Sequence, residues 1–184
     1  MICKKGLKMM KEDVERLYID NSDAVYRFIY FLVRHKETAE DLTQETFYKA
    51  IKSINNFNNQ ASVLTWLLKI ARNVTYDYFR RKRLIKFFTW GNENDIDSKN
   101  PSPTVLAEKK EDLSRLYAAL GRMKKDYRDV IILRKVNECS IKETAYILGW
   151  TEAKVKTKMA RGLETLKKEY YGKEGLIDEF IKRA

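Results

Sequence analysis

The sequence predicts an all-α protein of two small helical domains joined by a flexible linker. Only 7 of its 184 residues are glycine and 2 are proline, whereas leucine, lysine, glutamate, alanine and isoleucine recur at helical spacing. Both prolines lie in a stretch near the middle of the chain that lacks helical periodicity. The formal net charge of +11 favours a polyanionic partner, nucleic acid before an anionic membrane surface.

Composition also argues against several classes of site. Cys3 and Cys139 lie far apart without metal-ligand spacing, and His35 is the single histidine, so we expect no metal site, cofactor or disulfide. We find no signal-peptide pattern and no apolar run of the roughly 18 residues that a membrane span needs. The sequence therefore predicts a soluble cytoplasmic protein.

The first domain is predicted to span residues 11–86, after a mobile leader at 1–10. A first helix is expected from Lys11 to about Ser22, and a second from about Asp23 to His35. The buried stripe of the second helix is predicted to comprise Val25, Phe28, Ile29 and Leu32.

The next predicted helix, Thr38 to Ile54, has two organised faces. The inward face comprises Phe47, Ala50, Ile51 and Ile54. An acidic and amide stripe at the same spacing comprises Asp41, Gln44, Glu45 and Tyr48. This pattern fits a protein contact and a solvated face equally well. Carboxylate catalysis is not favoured, because no nucleophile or histidine accompanies the stripe.

An asparagine-rich loop, Asn55 to Ser62, connects this helix to a long one from Val63 to Leu84. Amide groups with the aromatic Phe57 could hold an unstacked base, although a plain surface connection is the commoner outcome. The long helix carries one face of Asn73, Tyr76, Asp77 and Arg80 and then a basic cluster, Arg80 to Lys86. These groups favour a nucleic-acid strand over the alternative of a basic helix end.

A linker is predicted at residues 87–104, and its aromatic residues Phe87, Phe88 and Trp90 are expected to pack back on the first domain. The second domain is predicted at 105–171. Its first helix carries Leu113, Leu116, Tyr117 and Leu120, and the next, ending near Val136, carries Met123, Tyr127, Val130 and Ile131. The tail, 172–184, has the spacing of a short amphipathic helix.

A helix-turn-helix completes the second domain between Ser140 and Lys168. Ser140 and Glu143 have the spacing of a capping box, and Gly149 follows the first helix, where a left-handed residue is favoured. Thr151 can cap the next helix. Its predicted inner stripe is Val155, Met159, Gly162 or Leu163, and Leu166. Its other side carries Lys154, Thr157, Lys158 and Arg161, which suit base edges and phosphates in a major groove.

In order, these segments resemble the extracytoplasmic-function sigma factors, the smallest group of the bacterial sigma-70 family, over about Asp20 to Lys168. AEDLTQETFYKAI and LTWLLKIARNVTYDYFRRKR are similar to the family's region 2. The region 4 resemblance lies in MKKDYRDVIILRKVNECSIKETAYILGWTEAKVKTKMARGLETLKK. The resemblance as a whole implies region 2 at 11–86 and region 4 at 105–171. It also implies a transcription factor without catalytic residues or a small-molecule substrate.

The resemblance also implies partners and sites. Core RNA polymerase would bind through its β′ clamp helices and β flap, promoter DNA through its −10 and −35 elements, and an anti-sigma factor, often membrane-anchored, would mask the polymerase-binding faces. The implied polymerase contacts are Asp41, Gln44, Glu45 and Tyr48. The implied −10 contacts are Phe57, Asn58, Asn59, Ser62, Asn73, Tyr76, Asp77, Arg80, Arg81 and Arg83. The implied −35 contacts are Lys154, Lys156, Thr157, Lys158, Ala160 and Arg161.

One alternative function stays open on the sequence alone. A helix-turn-helix regulator that is not a polymerase subunit would use Ser140 to Lys168 on duplex DNA and would not need the acidic stripe. Departures from the family pattern at Tyr146, Trp150 and Gly162 bear on how the second helix docks.

Overall fold

Seven helices form two compact units in the computed structural model, which describes residues 11–57, 60–88 and 107–181. The first unit is built from α1 (Lys11–Val33), α2 (Lys36–Ser53) and α3 (Val63–Phe88). The second is built from α4 (Ala107–Arg122), α5 (Lys125–Ile131), α7 (Glu152–Ile181) and the start of α6 (Ile141–Leu148). The described residues include no strand, which confirms the all-α prediction of two helical domains. The predicted leader and residues 89–106 of the linker region lie outside the described residues.

In the first unit, each of the three helices packs on the other two. The predicted stripe of α1 is buried, and Leu67, Leu68, Ala71 and Val74 of α3 meet it in the core. Burial of these aliphatic and aromatic side chains, each contributing roughly 1.5–3 kcal/mol, is the main stabilising term of such a unit.

The prediction of two helices between Lys11 and His35 is wrong, because α1 is continuous from Lys11 to Val33. Asn21 and Ser22 were read as a break, but the Asn21 side chain donates to the Leu17 carbonyl at 2.9 Å inside the helix. Packing of the apolar stripe therefore outweighs the weak helix propensity of these two residues. The real break follows at Arg34, which has φ 58°, and His35 then caps α2 by accepting from the Thr38 N–H at 3.3 Å.

Helices α2 and α3 begin close to their predicted positions. Phe47 and Ala50 are buried as predicted, but Ile51 is 37% exposed, so its inward placement is wrong. It lies at the edge of the buried stripe, beside the exposed Tyr48 three residues earlier. Helix α3 continues to Phe88, two residues into the predicted linker. The side chains of Phe87, Phe88 and Trp90 lie outside the described residues, so their expected packing stays a prediction.

In the second unit, α5 and α4 each pack on α7. Helix α5 continues into a π-helical turn, Ile132–Val136, in which the Asn137 N–H bonds to the Ile132 carbonyl at 3.0 Å. Ala119, Leu120, Val130, Ile132, Leu133 and Val155 are buried. The predicted helices at Leu113–Leu120 and Met123–Val136 are both present.

The turn between α6 and α7 has the predicted local bonds. Ser140 accepts from the Glu143 N–H at 3.1 Å, and the Glu143 carboxylate accepts from the Ser140 N–H at 2.7 Å. Gly149 ends α6 at φ 66°, a left-handed conformation that costs glycine little. Thr151 caps α7 by accepting from the Lys154 N–H at 3.2 Å. The end of α6 and the start of α7 are thus both capped at this turn.

After Gly172, which has φ 70° and interrupts α7, the backbone is helical again to Ile181. The predicted tail helix is therefore present in the backbone, and its side chains lie outside the described residues. No described helix is long and apolar enough to cross a membrane.

Candidate functional site

The outer face of α7 is a continuous exposed surface with three cations. Lys154, Lys156, Thr157, Ala160 and Arg161 are all exposed. At 100° per residue, Thr157 and Ala160 lie at its centre, Lys154 and Arg161 on one flank and Lys156 on the other. Val155 and Gly162, on the opposite side, are buried. The outer face therefore combines Lys154, Thr157 and Arg161 from helical periodicity with Lys156 and Ala160 from the family resemblance. Of the two alternatives for the inner stripe, the buried residue is Gly162 and not Leu163.

Lys154 is held by a neighbour in the turn. Its ammonium lies 4.5 Å from the centroid of the Trp150 ring, in cation–π geometry. This pair was not predicted from the sequence, although a tryptophan four residues before a lysine is a signal for one. The contact orders an exposed cation at the start of the helix.

Lys158 differs from the other predicted −35 residues. Its side chain is only 28% exposed, and its ammonium lies 2.9 Å from a carboxylate oxygen of Asp126 on α5. It also lies 5.2 Å from the centroid of the Tyr127 ring. The structure therefore directs Lys158 toward α5, away from the centre of the outer face.

The acidic and amide stripe of α2 is accessible. Asp41 and Gln44 are exposed, and Tyr48 is 58% exposed with the Lys52 ammonium 4.3 Å from its ring centroid. Glu45 is less exposed, because it pairs with Lys49 at 2.9 Å and with Arg81 of α3 at 3.6 Å. The predicted stripe thus forms one face, with hydrogen-bond acceptors, an amide and an aromatic ring in a row.

The connector from α2 to α3 begins with a 3₁₀ turn, Ile54–Asn56. The Phe57 ring then packs against Trp66 of α3, with ring centroids 5.1 Å apart. Ser62 caps α3 by accepting from the Thr65 N–H at 3.1 Å, and its hydroxyl is 2.7 Å from that of Thr65. Asn58 and Asn59 lie outside the described residues. Phe57 and Ser62 therefore have structural contacts in addition to their predicted role.

The polar face of α3 combines an exposed amide with paired charges. Asn73 is exposed, and the Arg72 guanidinium lies 5.2 Å from the centroid of the Tyr76 ring. Asp77 pairs with Arg80 at 2.9 Å. Arg80, Arg81 and Arg83 are exposed at the basic end of the helix. The face can thus offer an aromatic ring, an amide and guanidinium groups along one line, as a single strand requires.

An apolar groove of about 640 Å³ between α4 and α7 was not predicted from the sequence. It is lined by Leu113, Leu116, Leu163, Leu166, Tyr170 and Tyr171, with Asp112 and Lys167 at its edges. The Tyr170 hydroxyl donates to the Asp112 carboxylate at 3.0 Å. Leu113 and Leu163 are 44% and 40% exposed, respectively, and their place in this groove follows from the way α4 and α7 pack.

Two observations bear on metal-binding and thiol chemistry in the described part of the chain. No group of three or more histidine, cysteine or acidic side chains there could hold a metal ion. Burial, followed by the nearby Glu143 carboxylate, raises the pKa of the Cys139 thiol to about 11. Cys139 is therefore a protonated, buried thiol rather than a nucleophile.

Comparison with known proteins gives the same two-part division. The family description "Sigma-70 region 2" matches residues 17–85, and "Sigma-70, region 4" matches residues 113–166. The chain is 37% identical to the ECF RNA polymerase sigma factor SigX of Bacillus subtilis, covering 94% of this chain and 92% of that protein. It is 36% identical to the ECF RNA polymerase sigma factor BldN of Streptomyces coelicolor, covering 82% of this chain and 58% of that protein.

Solved structures share the fold. The sigma factor RpoE in complex with the anti-sigma factor NepR from Bartonella quintana aligns with a TM-score of 0.71 at 23% identity, covering 88% of this chain and 99% of that chain. CnrH in complex with the cytosolic domain of CnrY aligns with a TM-score of 0.65 at 20% identity, covering 86% of this chain and 87% of that chain.

Proposed function

We propose which surfaces of this chain contact promoter DNA and which contact RNA polymerase. The chain belongs to the extracytoplasmic-function RNA polymerase sigma factors. Its function is that of a sigma factor, which binds core RNA polymerase and directs promoter recognition and transcription initiation. The proposal concerns which residues carry each contact. It rests chiefly on one observation: α7, the second helix of a helix-turn-helix whose ends are capped, has an exposed basic face.

Helix α7 would read the −35 element in the major groove. The exposed Thr157 and Arg161 would meet base edges, with Ala160 packed close to them and Lys154 and Lys156 on phosphates. The cap at Thr151 and the Trp150 contact support this role, because a reading helix must enter the groove at a defined angle.

The first unit would bind the −10 element as a separated strand. The segment 57–62 and the α3 face, with Asn73, Tyr76, Asp77, Arg80, Arg81 and Arg83, offer stacking, amide and phosphate contacts. Capturing an unpaired base offsets the unstacking cost of a few kcal/mol. The Asp77–Arg80 pair must rearrange if Arg80 is to meet a phosphate.

Polymerase would bind at two places. The β′ clamp helices would meet Asp41, Gln44, Glu45 and Tyr48 on α2, where polar groups and one exposed aromatic ring form a single face. The β flap would fill the groove between α4 and α7, because an apolar helix is the natural occupant of an open apolar groove. Two modest DNA contacts, held at fixed spacing by polymerase, then act as one strong site.

The protein would make no covalent change of its own and would act in the cytoplasm, where polymerase and chromosome meet. We also propose control by an anti-sigma factor that covers the polymerase-binding faces. Their exposure supports this idea, since the same groups that bind polymerase are accessible to an inhibitor.

The test is complex formation with core RNA polymerase, followed by sequencing of the transcripts initiated on genomic DNA. Asp41→Lys combined with Glu45→Lys should abolish the complex. Glu15→Lys combined with Asp23→Lys, an equal charge reversal at exposed positions of α1, is the matched control and should leave it intact. Survival of the complex in the double variant would refute the α2 assignment. Duplex binding without any polymerase complex would instead favour an independent helix-turn-helix regulator.

A further inference from the structure

The side of α7 that faces α5 contains a charged contact that differs from the outer-face cations. Lys158 pairs with Asp126 at 2.9 Å and lies beside the Tyr127 ring, whereas Lys156 and Arg161 are exposed. The carboxylate and the ring direct the Lys158 ammonium toward α5 and away from the outer face of α7. The pair is partly exposed, so its net energy is small, and its main effect is on geometry.

One turn further along α7, Gly162 allows close approach to the same helix. A Cβ at this position would lie 3.3 Å from Cδ1 of Ile131 and 3.5 Å from Cβ of Tyr127. Lys158 and Gly162 are four residues apart, on one side of α7, and both lie against Tyr127. The helix is therefore held by a polar contact and by close packing within one turn of Thr157 and Arg161.

We propose that Lys158 is a positioning residue of the recognition helix rather than a phosphate contact. With Asp126, Tyr127 and Gly162 it sets the orientation in which α7 presents Thr157 and Arg161 to the −35 bases. The inference rests on the proposed function of α7. It assigns specificity to a contact that never touches DNA, because a tilt of the reading helix displaces every base contact at once.

The experiment uses full-length protein assembled with core RNA polymerase and compares binding to a mapped promoter with binding to one whose −35 element is scrambled. Lys158→Met keeps the aliphatic stem and removes the charge. The measured quantity is the ratio of binding to the mapped promoter over binding to the scrambled one. Lys158→Met and Asp126→Asn should each lower this ratio by on the order of two- to five-fold. The swap Lys158→Asp with Asp126→Lys should restore the ratio. The salt dependence of binding should not change in Lys158→Met.

Lys154→Met is the matched control, since its exposed lysine should contact phosphate. It should weaken binding to both promoters alike and lower the salt slope by about one. Gly162→Ala tests the close packing independently and should lower the ratio with no change in slope, because the added methyl group, 3.3 Å from Ile131 Cδ1, requires a shift of a few tenths of an ångström at this contact. Thermal melting of each variant separates these effects from loss of the fold.

A phosphate role for Lys158 gives the opposite pattern and would overturn the inference. Lys158→Met would then lower the salt slope by about one, Asp126→Asn would tighten binding to both promoters, and the swap would not rescue. Failure of the proposed function looks different again. In that case Arg161→Ala would leave the ratio unchanged while the complex still formed.

Discussion

Two helix–connector–helix segments are assigned to DNA, and they are built differently. Residues 149–151 join α6 to α7, and each end of this short turn is closed by hydrogen bonds to residues within five positions. Residues 54–62 join α2 to α3 through a 3₁₀ turn, with Phe57 packed on Trp66 and Ser62 as the cap. The short turn is defined by local backbone hydrogen bonds and caps, while the long connector places the Phe57 side chain against α3.

The difference matches the two tasks in the proposed function. Reading base edges in a duplex requires a helix whose angle is set before binding, so the turn must be stiff. Capturing a base from an open strand requires a surface with an aromatic ring and amides, and a longer connector can supply these. We expect substitutions to separate the two designs as follows, beginning with the largest effect.

Leu68→Ala and Leu133→Ala remove a fully buried leucine from the first and second unit, respectively. Each should cost about 2–5 kcal/mol, through lost burial and the cavity left behind. Amide hydrogen exchange should show the main loss of protection in α1–α3 for the first variant and in α4–α7 for the second. Equal loss of amide protection in both units, for both variants, would show that the two units are not separately stabilised.

Gly149→Ala should destabilise the short turn by about 1–2 kcal/mol, because an alanine at φ 66° meets its own carbonyl oxygen. Among the described residues, apart from position 149 itself and its two chain neighbours, no atom lies within 4 Å of the added Cβ, so the cost is local backbone strain rather than a clash with another part of the fold. Gly149→Asn is the control, since asparagine adopts this conformation more readily, and should lose less. Denaturant unfolding measures both, and an equal loss would contradict the conformational explanation.

Ser140→Ala and Ser62→Ala remove the caps of α6 and α3, and each should cost about 1 kcal/mol. Aspartate at either position should restore the cap. In promoter binding, loss of the Ser140 cap should weaken −35 recognition, and loss of the Ser62 cap should weaken strand opening at −10. If Ser62→Asp restores stability but not opening, the Ser62 hydroxyl contacts DNA directly.

Thr144→Val and Thr75→Val should have opposite signs. The buried Thr144 hydroxyl has no hydrogen-bond partner among the residues that the structure describes, so its removal should stabilise the protein by about 1 kcal/mol. Thr75 is equally buried, but its hydroxyl donates to the Ala71 carbonyl at 2.8 Å, so its removal should destabilise by about 0.5–1.5 kcal/mol. Thermal unfolding of the two variants decides; destabilisation by Thr144→Val would indicate a partner for that hydroxyl.

Local interactions were the most predictable part of the fold. The capping box of Ser140 and Glu143, the left-handed Gly149 and the Thr151 cap were all predicted, because each depends on residues within one helical turn. The accessible stripe of α2 followed in the same way from helical periodicity. The helix break predicted at Asn21 and Ser22 was wrong, because packing of the α1 stripe in the core outweighed this local signal.

The sequence by itself determined the helical class, the division into two units and the family, because these depend on periodicity, composition and motif order. Only the tertiary structure decided which way Lys158 points, why Gly162 is small and where an apolar groove opens between α4 and α7. Asp126 is 32 residues from Lys158 along the chain. Contacts of this kind depend on how two helices pack, which no local pattern specifies.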